Sequence, residues 1–149
     1  MWLGAFLILS LFVRPVFDNS DTMYYLSLIE GKNLSENTPH WGYTLLGMIF
    51  TTLIPFNDIL SLNIMSAFFA SLAVYLTFLI FRTLKFSERV SLISTVITLF
   101  SYSFFTSGFL AEVYVVQSSL LLISLFLWLE DRVLLSSLSF LLALLVSPI

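Results

Sequence analysis

The stretch from Ile59 to Phe81, ILSLNIMSAFFASLAVYLTFLIF, decides the fold class of this chain because it contains no charged residue. A helix crosses the hydrocarbon core of a bilayer with about 20 consecutive apolar residues, and this stretch is long enough. The first charged residue after the stretch is Arg82. Lipid accepts apolar side chains without a polar coat, whereas a helix at a water-facing surface needs a polar face. The stretch therefore predicts a transmembrane helix.

The composition of the whole chain extends this prediction beyond one helix. Hydrophobic residues make up 59% of the 149 residues and charged residues 10%, whereas a soluble domain carries roughly 25% charged residues. So few charges cannot coat a water-facing surface. Six basic residues form no clustered cationic patch, so nucleic acid is not expected as a partner. The sequence has no cysteine, which excludes disulfide and thiolate chemistry within it.

Further apolar runs predict about five transmembrane helices in all. Together with Ile59–Phe81 the runs are Trp2–Phe17, Val90–Phe105, Val113–Leu129 and Val133–Ile149. A shorter run, Tyr43–Phe56, is interrupted by Pro55 near its end, so we expect a re-entrant or juxtamembrane helix rather than a crossing. The predicted fold class is an all-α membrane protein, a polytopic helical bundle.

The basic residues predict which side of the membrane each loop faces. Arg82, Lys85 and Arg89 lie between the second and third spans, and Arg132 lies between the fourth and fifth. Short loops that carry Lys and Arg stay in the cytoplasm. The segment 18–58 and the turn 106–112 are then external or lumenal. This assignment requires that the short run over residues 43–56 does not cross.

The residues that could carry chemistry all fall on the predicted outer side. Asp18 and Asp21 follow the first span, and each has a plain explanation, as the polar end of a span or as a helix N-cap. His40 could be a structural interfacial side chain, and Arg14 could reach lipid head groups. Glu112 opens the fourth span, where a carboxylate drawn to the bilayer centre would cost about 2.5–3.5 kcal/mol. Composition and spacing alone therefore predict an acidic outer site on a membrane protein.

The order of several short motifs resembles one family. The motifs are Asp18 to Asp21, Pro39 to Tyr43, Leu45-Leu46-Gly47 with Phe50, Asn63 to Ala70, and Ala111 to Tyr114. In this order they resemble the N-terminal region of the protein O-mannosyltransferase-like membrane proteins, long labelled a domain of unknown function, in the GT-C glycosyltransferase superfamily. The resemblance covers nearly the whole chain. Residues 1–149 are then expected to form a single transmembrane domain, the N-terminal part of a longer GT-C module that is inactive by itself.

The resemblance implies an inverting membrane glycosyltransferase, mannosyltransferase-like, with a polyprenyl-phosphate sugar as donor. The acceptor would be a hydroxyl group of a protein or a lipid. The enzyme would be a multi-pass protein of a prokaryotic plasma membrane or of the endoplasmic reticulum, embedded among membrane lipids, with its active face external or lumenal. The first external loop of such enzymes carries an acidic catalytic residue, which maps to Asp18 or Asp21.

The chemistry of that reaction suggests a role for each candidate. A carboxylate takes the proton from the attacking hydroxyl, and we expect Asp18 in this role with Asp21 as its partner. The leaving phosphate needs a cationic or hydrogen-bonding cradle, for which His40 and Arg14 are candidates. Glu112 would orient the acceptor or the imidazole.

Two tyrosines and a metal complete the predicted site. Tyr43 and Tyr114 follow the histidine and the glutamate closely and belong to the expected substrate-binding set. A divalent cation, Mg²⁺ or Mn²⁺, that bridges Asp18, Asp21 and Glu112 is left open, since oxygen ligands suit both ions.

Two other functions stay open. A transporter or flippase-like protein could bind a cation or a lipid head group with the same carboxylates, although transporters place ionisable groups near the bilayer midplane. A noncatalytic membrane subunit is the other alternative.

Overall fold

The computed structural model describes residues 1–14, 20–30, 40–54 and 57–147, with side chains described from residue 23 onward in the second range. Within these ranges the chain forms eight helices and no strand, so the predicted all-α class is confirmed. In chain order the helices are α1 (Trp2–Ser10), α2 (Ser20–Ile29), α3 (Trp41–Leu53), α4 (Asp58–Thr83), α5 (Glu88–Phe100), α6 (Tyr102–Ser107), α7 (Val113–Leu129) and α8 (Val133–Val146).

Among the described helices, α4 alone is long and apolar enough to cross a membrane by length and composition. It has 26 residues, and at about 1.5 Å per residue it spans roughly 39 Å. The helices α7 and α8 are apolar but shorter. The prediction of about five crossings therefore stays a prediction.

Two predicted spans differ from the helices that form. The first was expected to run from Trp2 to Phe17, but α1 ends at Ser10, and Phe17 lies outside the described residues. A proline restricts the residue before it to extended conformations, so the Arg14-Pro15 pair in the sequence opposes a longer helix. The third was expected to be continuous over residues 90–105. It breaks at Ser101, whose extended backbone ends α5 and begins α6.

Helix α4 is the centre of the bundle, and α1 packs against it in the opposite direction. The ring of Trp2 meets that of Phe68 edge-on at 5.6 Å between centroids. At the other end of α1, the amide nitrogen Nδ2 of Asn63 donates a hydrogen bond to the carbonyl oxygen of Arg14 at 2.7 Å. The four-residue connection 84–87 turns the chain back into α5, which also packs against α4.

Helices α7 and α8 complete the bundle. At one end the backbone N–H of Glu112 donates to the Ser66 hydroxyl, and at the other end the hydroxyl of Thr83 donates to the carboxylate of Glu130. Helices α4 and α7 are therefore parallel. Helix α8 runs back along α7, since Ser139 bonds to the carbonyl of Leu120 and, nearer the end of α8, Gln117 bonds to the carbonyl of Ser147.

These directions give the bundle two different ends. The site end holds the starts of α3, α4 and α7 and the ends of α1 and α8. The cationic end holds the connections 84–87 and 130–132, and it contains the following basic residues: Arg82, Lys85, Arg89 and Arg132.

The polarity of α5, α7 and α8 is inverted relative to helices at a water-facing surface. Their buried positions are mostly small or hydroxyl-bearing: Ser91, Thr95, Ser119, Ser124, Ser136, Ser139 and Ala143. Their outward faces carry large apolar side chains, for example Ile97, which is 65% exposed, and Leu134, which is 84% exposed. A soluble amphipathic helix shows the opposite distribution.

Candidate functional site

The site end of the bundle gathers a group of polar and aromatic side chains from four helices. We call it the Tyr43 cluster; its members are Tyr25, His40, Tyr43, Ser66 and Glu112. The ring of Tyr25 on α2 lies 4.5 Å from that of Tyr43 and 5.7 Å from the imidazole of His40, between centroids. Ser66 comes from the third turn of the long helix α4, and Glu112 comes from the start of α7.

Tyr43 is the centre of the cluster and is fully buried. Burial raises the pKa of its phenol, and the neighbouring Tyr25 and Glu112 raise it further. The nearby hydroxyl of Ser66 lowers the pKa of this phenol. It does not reach hydrogen-bond geometry, however, and the Tyr43 hydroxyl oxygen has no hydrogen-bond partner among the described residues. A buried hydroxyl without a partner costs about 1–3 kcal/mol, so it needs an explanation.

His40 immediately precedes α3, and its side chain does not cap that helix. Its Nδ1 lies 3.1 Å from the carbonyl oxygen of Val146 at the end of α8. Because a carbonyl only accepts, Nδ1 carries the hydrogen of this bond. In the neutral imidazole, Nε2 is then the unprotonated nitrogen, the one that can accept a hydrogen bond.

Glu112 is the N-cap residue of α7, yet its carboxylate makes no capping hydrogen bond. The backbone N–H of Glu112 donates instead to the hydroxyl of Ser66 at 3.2 Å. The carboxylate lies near enough to Tyr43 to raise the pKa of the phenol. The structure therefore brings together three of the predicted site residues, His40, Tyr43 and Glu112.

The other two predicted binding residues that the structure describes lie apart from this cluster. Arg14 follows α1 and is exposed, and its carbonyl oxygen is held by Asn63. Tyr114 is 62% exposed on the first turn of α7. It lines a separate cavity of about 260 Å³ between α6 and α7, together with hydroxyls that include those of Ser107 and Ser118.

The two predicted catalytic carboxylates are not placed by the structure. Asp18 lies outside the described residues, and so does the side chain of Asp21. Helix α2 begins at Ser20, so Asp21 is in its first turn rather than at the N-cap position. Their role in catalysis stays a prediction.

No protein-family model, curated protein or solved structure matches this chain. The candidate site therefore rests on its own residues and contacts.

Sequence reasoning about the site missed three residues that hold it together. Asn63 and Ser66 were noticed only as part of a family-like motif, and Gln117 was not noticed. The first two are spaced i, i+3 and so lie on one face of α4. Two fully buried polar side chains one turn apart in a long apolar helix are the signal that could have found them.

The structure gives no separate support for a metal. Among residues 1–14, 23–30, 40–54 and 57–147, no three His, Asp or Glu side chains lie close enough to hold an ion. The predicted bridge involves Asp18 and the side chain of Asp21, which fall outside these ranges, so a bound divalent cation stays a prediction.

Proposed function

We propose that the chain is embedded in a membrane as a polytopic bundle, with α1, α4, α5, α7 and α8 as crossing helices. Large apolar side chains face outward on α5 and α8, and small residues face their neighbours, as at helix interfaces in lipid. So many exposed large apolar side chains favour contact with a membrane or a partner.

The lengths of the helices constrain the proposal. Helix α7 has 17 residues, which is at the lower limit of about 17 for a crossing helix. Helices α5 and α8 have 13 and 14 residues, so their crossing requires local thinning of the bilayer and flanking side chains that reach the interface. Helix α1 has 9 residues and needs the residues beside it to complete a crossing. With the cationic end in the cytoplasm, the Tyr43 cluster lies at the external or lumenal surface.

We further propose that the site end transfers a sugar from a polyprenyl-phosphate donor to a hydroxyl acceptor, as in GT-C glycosyltransferases. The observation that carries this proposal is the convergence of His40, Tyr43 and Glu112 at the end of the bundle opposite the cationic connections. A lipid-linked phosphate sits at the membrane surface, and with the bundle embedded as proposed these groups would lie near that surface. The family-like order of motifs adds the reaction class.

The residues divide the reaction between them. The acceptor hydroxyl oxygen attacks the anomeric carbon, and the bond from that carbon to the phosphate oxygen breaks. The proton of the hydroxyl goes to a carboxylate, for which Asp18 is proposed with Asp21 as its partner. His40, whose ring contacts Tyr25, offers its Nε2 nitrogen, and Arg14 offers a cation to the leaving phosphate.

The distribution of charge supports an interfacial substrate over a transport path. Between Asp58 at its start and Arg82 near its end, α4 carries no charged residue, and neither α7 nor α8 carries one. Transporters and flippases place their ionisable groups within the spans, near the midplane.

The test is sugar transfer in membranes that contain the full-length protein, supplied with polyprenyl-phosphate sugars. We expect Asp18→Asn or Asp21→Asn to abolish turnover while donor binding is retained. Asp131→Asn is the matched control, because Asp131 lies at the cationic end and should leave the rate unchanged. Unchanged transfer in both site variants would remove these carboxylates from the mechanism. No transfer by the unaltered protein with any donor would favour a transporter or a noncatalytic subunit.

A further inference from the structure

Two fully buried polar residues of α4, Asn63 and Ser66, make hydrogen bonds to other segments of the chain, as Ser61 and Thr83 of the same helix also do. The Ser71 hydroxyl donates to the carbonyl of Phe68, and the Thr77 hydroxyl donates to that of Ala73, within α4 itself. This is the usual behaviour of Ser and Thr inside a helix. Asn63 and Ser66 bond instead to other segments of the chain.

Asn63 holds the end of α1. Its Nδ2 donates to the Arg14 carbonyl at 2.7 Å, and the residue is fully buried. Arg14 is the last described residue before the segment that carries Asp18. The backbone at Arg14, four residues after the end of α1, is therefore held by one amide of α4.

Ser66 holds the start of α7 in the same way. Its hydroxyl accepts the hydrogen bond of the Glu112 backbone N–H at 3.2 Å, and Ser66 is also fully buried. This bond does the work of a side-chain cap, because the carboxylate of Glu112 does not cap α7. That carboxylate is consequently held beside Tyr43 rather than turned onto its own helix.

We propose that Asn63 and Ser66 are positioning residues that hold two of the candidate site residues, Arg14 after α1 and Glu112 at the start of α7, at a set separation. The two side chains lie one turn apart on a single face of the longest described helix, which makes α4 a rigid reference for both. The proposal rests on the proposed function for its effect on catalysis. Its geometric part can be measured without any activity.

The geometric test measures the distance between spin labels at Arg14→Cys and Tyr114→Cys, both exposed positions in a sequence without cysteine. We expect a narrow distance distribution in the otherwise unaltered protein. The distance distribution should broaden with Ser66→Ala. It should also broaden with Asn63→Asp, which replaces the amide donor with a carboxylate, and with Asn63→Leu, which removes the donor without adding a charge. Ser71→Ala is the matched control, since Ser71 is equally buried but bonds only within α4.

The catalytic test uses the same substitutions without labels. We expect kcat for sugar transfer to fall about 10- to 100-fold with the donor KM unchanged within about twofold, because small misplacements of reacting groups reduce rate more than affinity. The proposal would be overturned if the label distances in the Asn63 and Ser66 variants were distributed as narrowly as in the Ser71→Ala control. It would also be overturned if those distributions broadened while kcat stayed unchanged. If the unaltered protein transfers no sugar, the proposed function fails, and the label distances alone decide whether the two residues position the site.

Discussion

The Nδ1 atom of His40 lies 3.1 Å from the carbonyl oxygen of Val146, a residue 106 positions further along the chain. This hydrogen bond joins the start of α3 to the last turn of α8. It satisfies one of the carbonyls that the end of a helix leaves without a partner. A residue expected to cradle a phosphate therefore also has a structural contact, made through its Nδ1.

Replacing His40 with Phe tests the structural contact. The ring contact with Tyr25 can persist, but the hydrogen bond to Val146 is lost, so we expect unfolding to become easier by about 1 kcal/mol. The thermal midpoint in detergent should fall by about 2–4 °C. Trp41→Phe is the control, because Trp41 is the next residue and is 71% exposed. Equal midpoints for both variants would mean that this bond adds nothing to stability.

Replacing Gly42 with Ala tests the close approach of α3 to α8. A Cβ atom at Gly42 would lie 2.8 Å from the backbone nitrogen of Val146 and 2.9 Å from the carbonyl carbon of Leu145. Backbone atoms cannot move aside as a side-chain end can, so we expect a loss of about 1–3 kcal/mol in a chemical unfolding experiment.

The matched control for that substitution is Gly4→Ala. Nothing lies within 4 Å of a Cβ at Gly4, which is inside α1. Alanine there should stabilise the helix by up to about 1 kcal/mol, because glycine is the poorer helix former. If both substitutions changed stability alike, the packing of Gly42 against α8 would not be the cause.

The serine pair between α7 and α8 should be energetically coupled. The Ser124 and Ser136 hydroxyls each donate to the other residue's carbonyl, at 2.9 and 2.8 Å. We expect the double-mutant cycle with Ser124→Ala and Ser136→Ala to give a coupling of about 0.6 kcal/mol, as is typical inside membranes. Pairing Ser124→Ala with the exposed Ser118→Ala should give no coupling. A coupling indistinguishable from that control would contradict the prediction.

Removing the Tyr43 hydroxyl should leave the fold intact. Because this buried oxygen has no hydrogen-bond partner among the described residues, Tyr43→Phe removes a desolvated group without breaking a described bond. We expect an unchanged or slightly higher thermal midpoint at neutral pH.

The pH dependence of Tyr43 has a definite sign. Burial raises the pKa of the phenol, so at alkaline pH the folded state holds this proton more tightly than the unfolded state does. The stabilisation of the folded state that is linked to this proton is present in full below about pH 10, the pKa of a tyrosine in the unfolded chain. It is lost as the pH rises above that value. Tyr43→Phe should therefore extend stability to higher pH, and an identical alkaline limit in both proteins would argue against burial of the phenol.

The proposed orientation in the membrane can be tested with single cysteines. Trp41 is 71% exposed at the start of α3, at the site end, and Phe86 is exposed at the cationic end. In intact cells a membrane-impermeant maleimide should label Trp41→Cys, and it should label Phe86→Cys only after permeabilisation. Labelling of both positions in intact cells would show that the bundle does not separate the two sides.

The helices with the most regular sequence pattern could be predicted closely. The uncharged run Ile59–Phe81 corresponds to α4, and the run Val113–Leu129 has the same bounds as α7. Prediction failed where one residue interrupts an apolar run. Ser101 has a small side chain within a hydrophobic stretch, and its extended backbone divides that stretch into two helices.

The site could be predicted in part. The sequence singled out His40, Tyr43 and Glu112 by residue type and by resemblance, and the fold places them in one cluster. Asn63 and Ser66 escaped notice as site residues because their partners lie 49 and 46 positions away. Periodicity reports which face of a helix is apolar and says nothing about the segment that a polar side chain meets.

By itself, the sequence determined the helical class and the long helix α4 over the uncharged run Ile59–Phe81, and it indicated that Arg82, Lys85, Arg89 and Arg132 lie between predicted spans, away from the candidate site residues. These properties follow from local composition and from periodicity along single segments, because each helix forms its hydrogen bonds within a few residues. Only the tertiary structure decided that Tyr43 is buried against Tyr25 and that Glu112 depends on Ser66. It also decided that His40 binds the end of α8. Those contacts depend on helix directions and packing, which small buried residues such as Gly42 permit and no local pattern specifies.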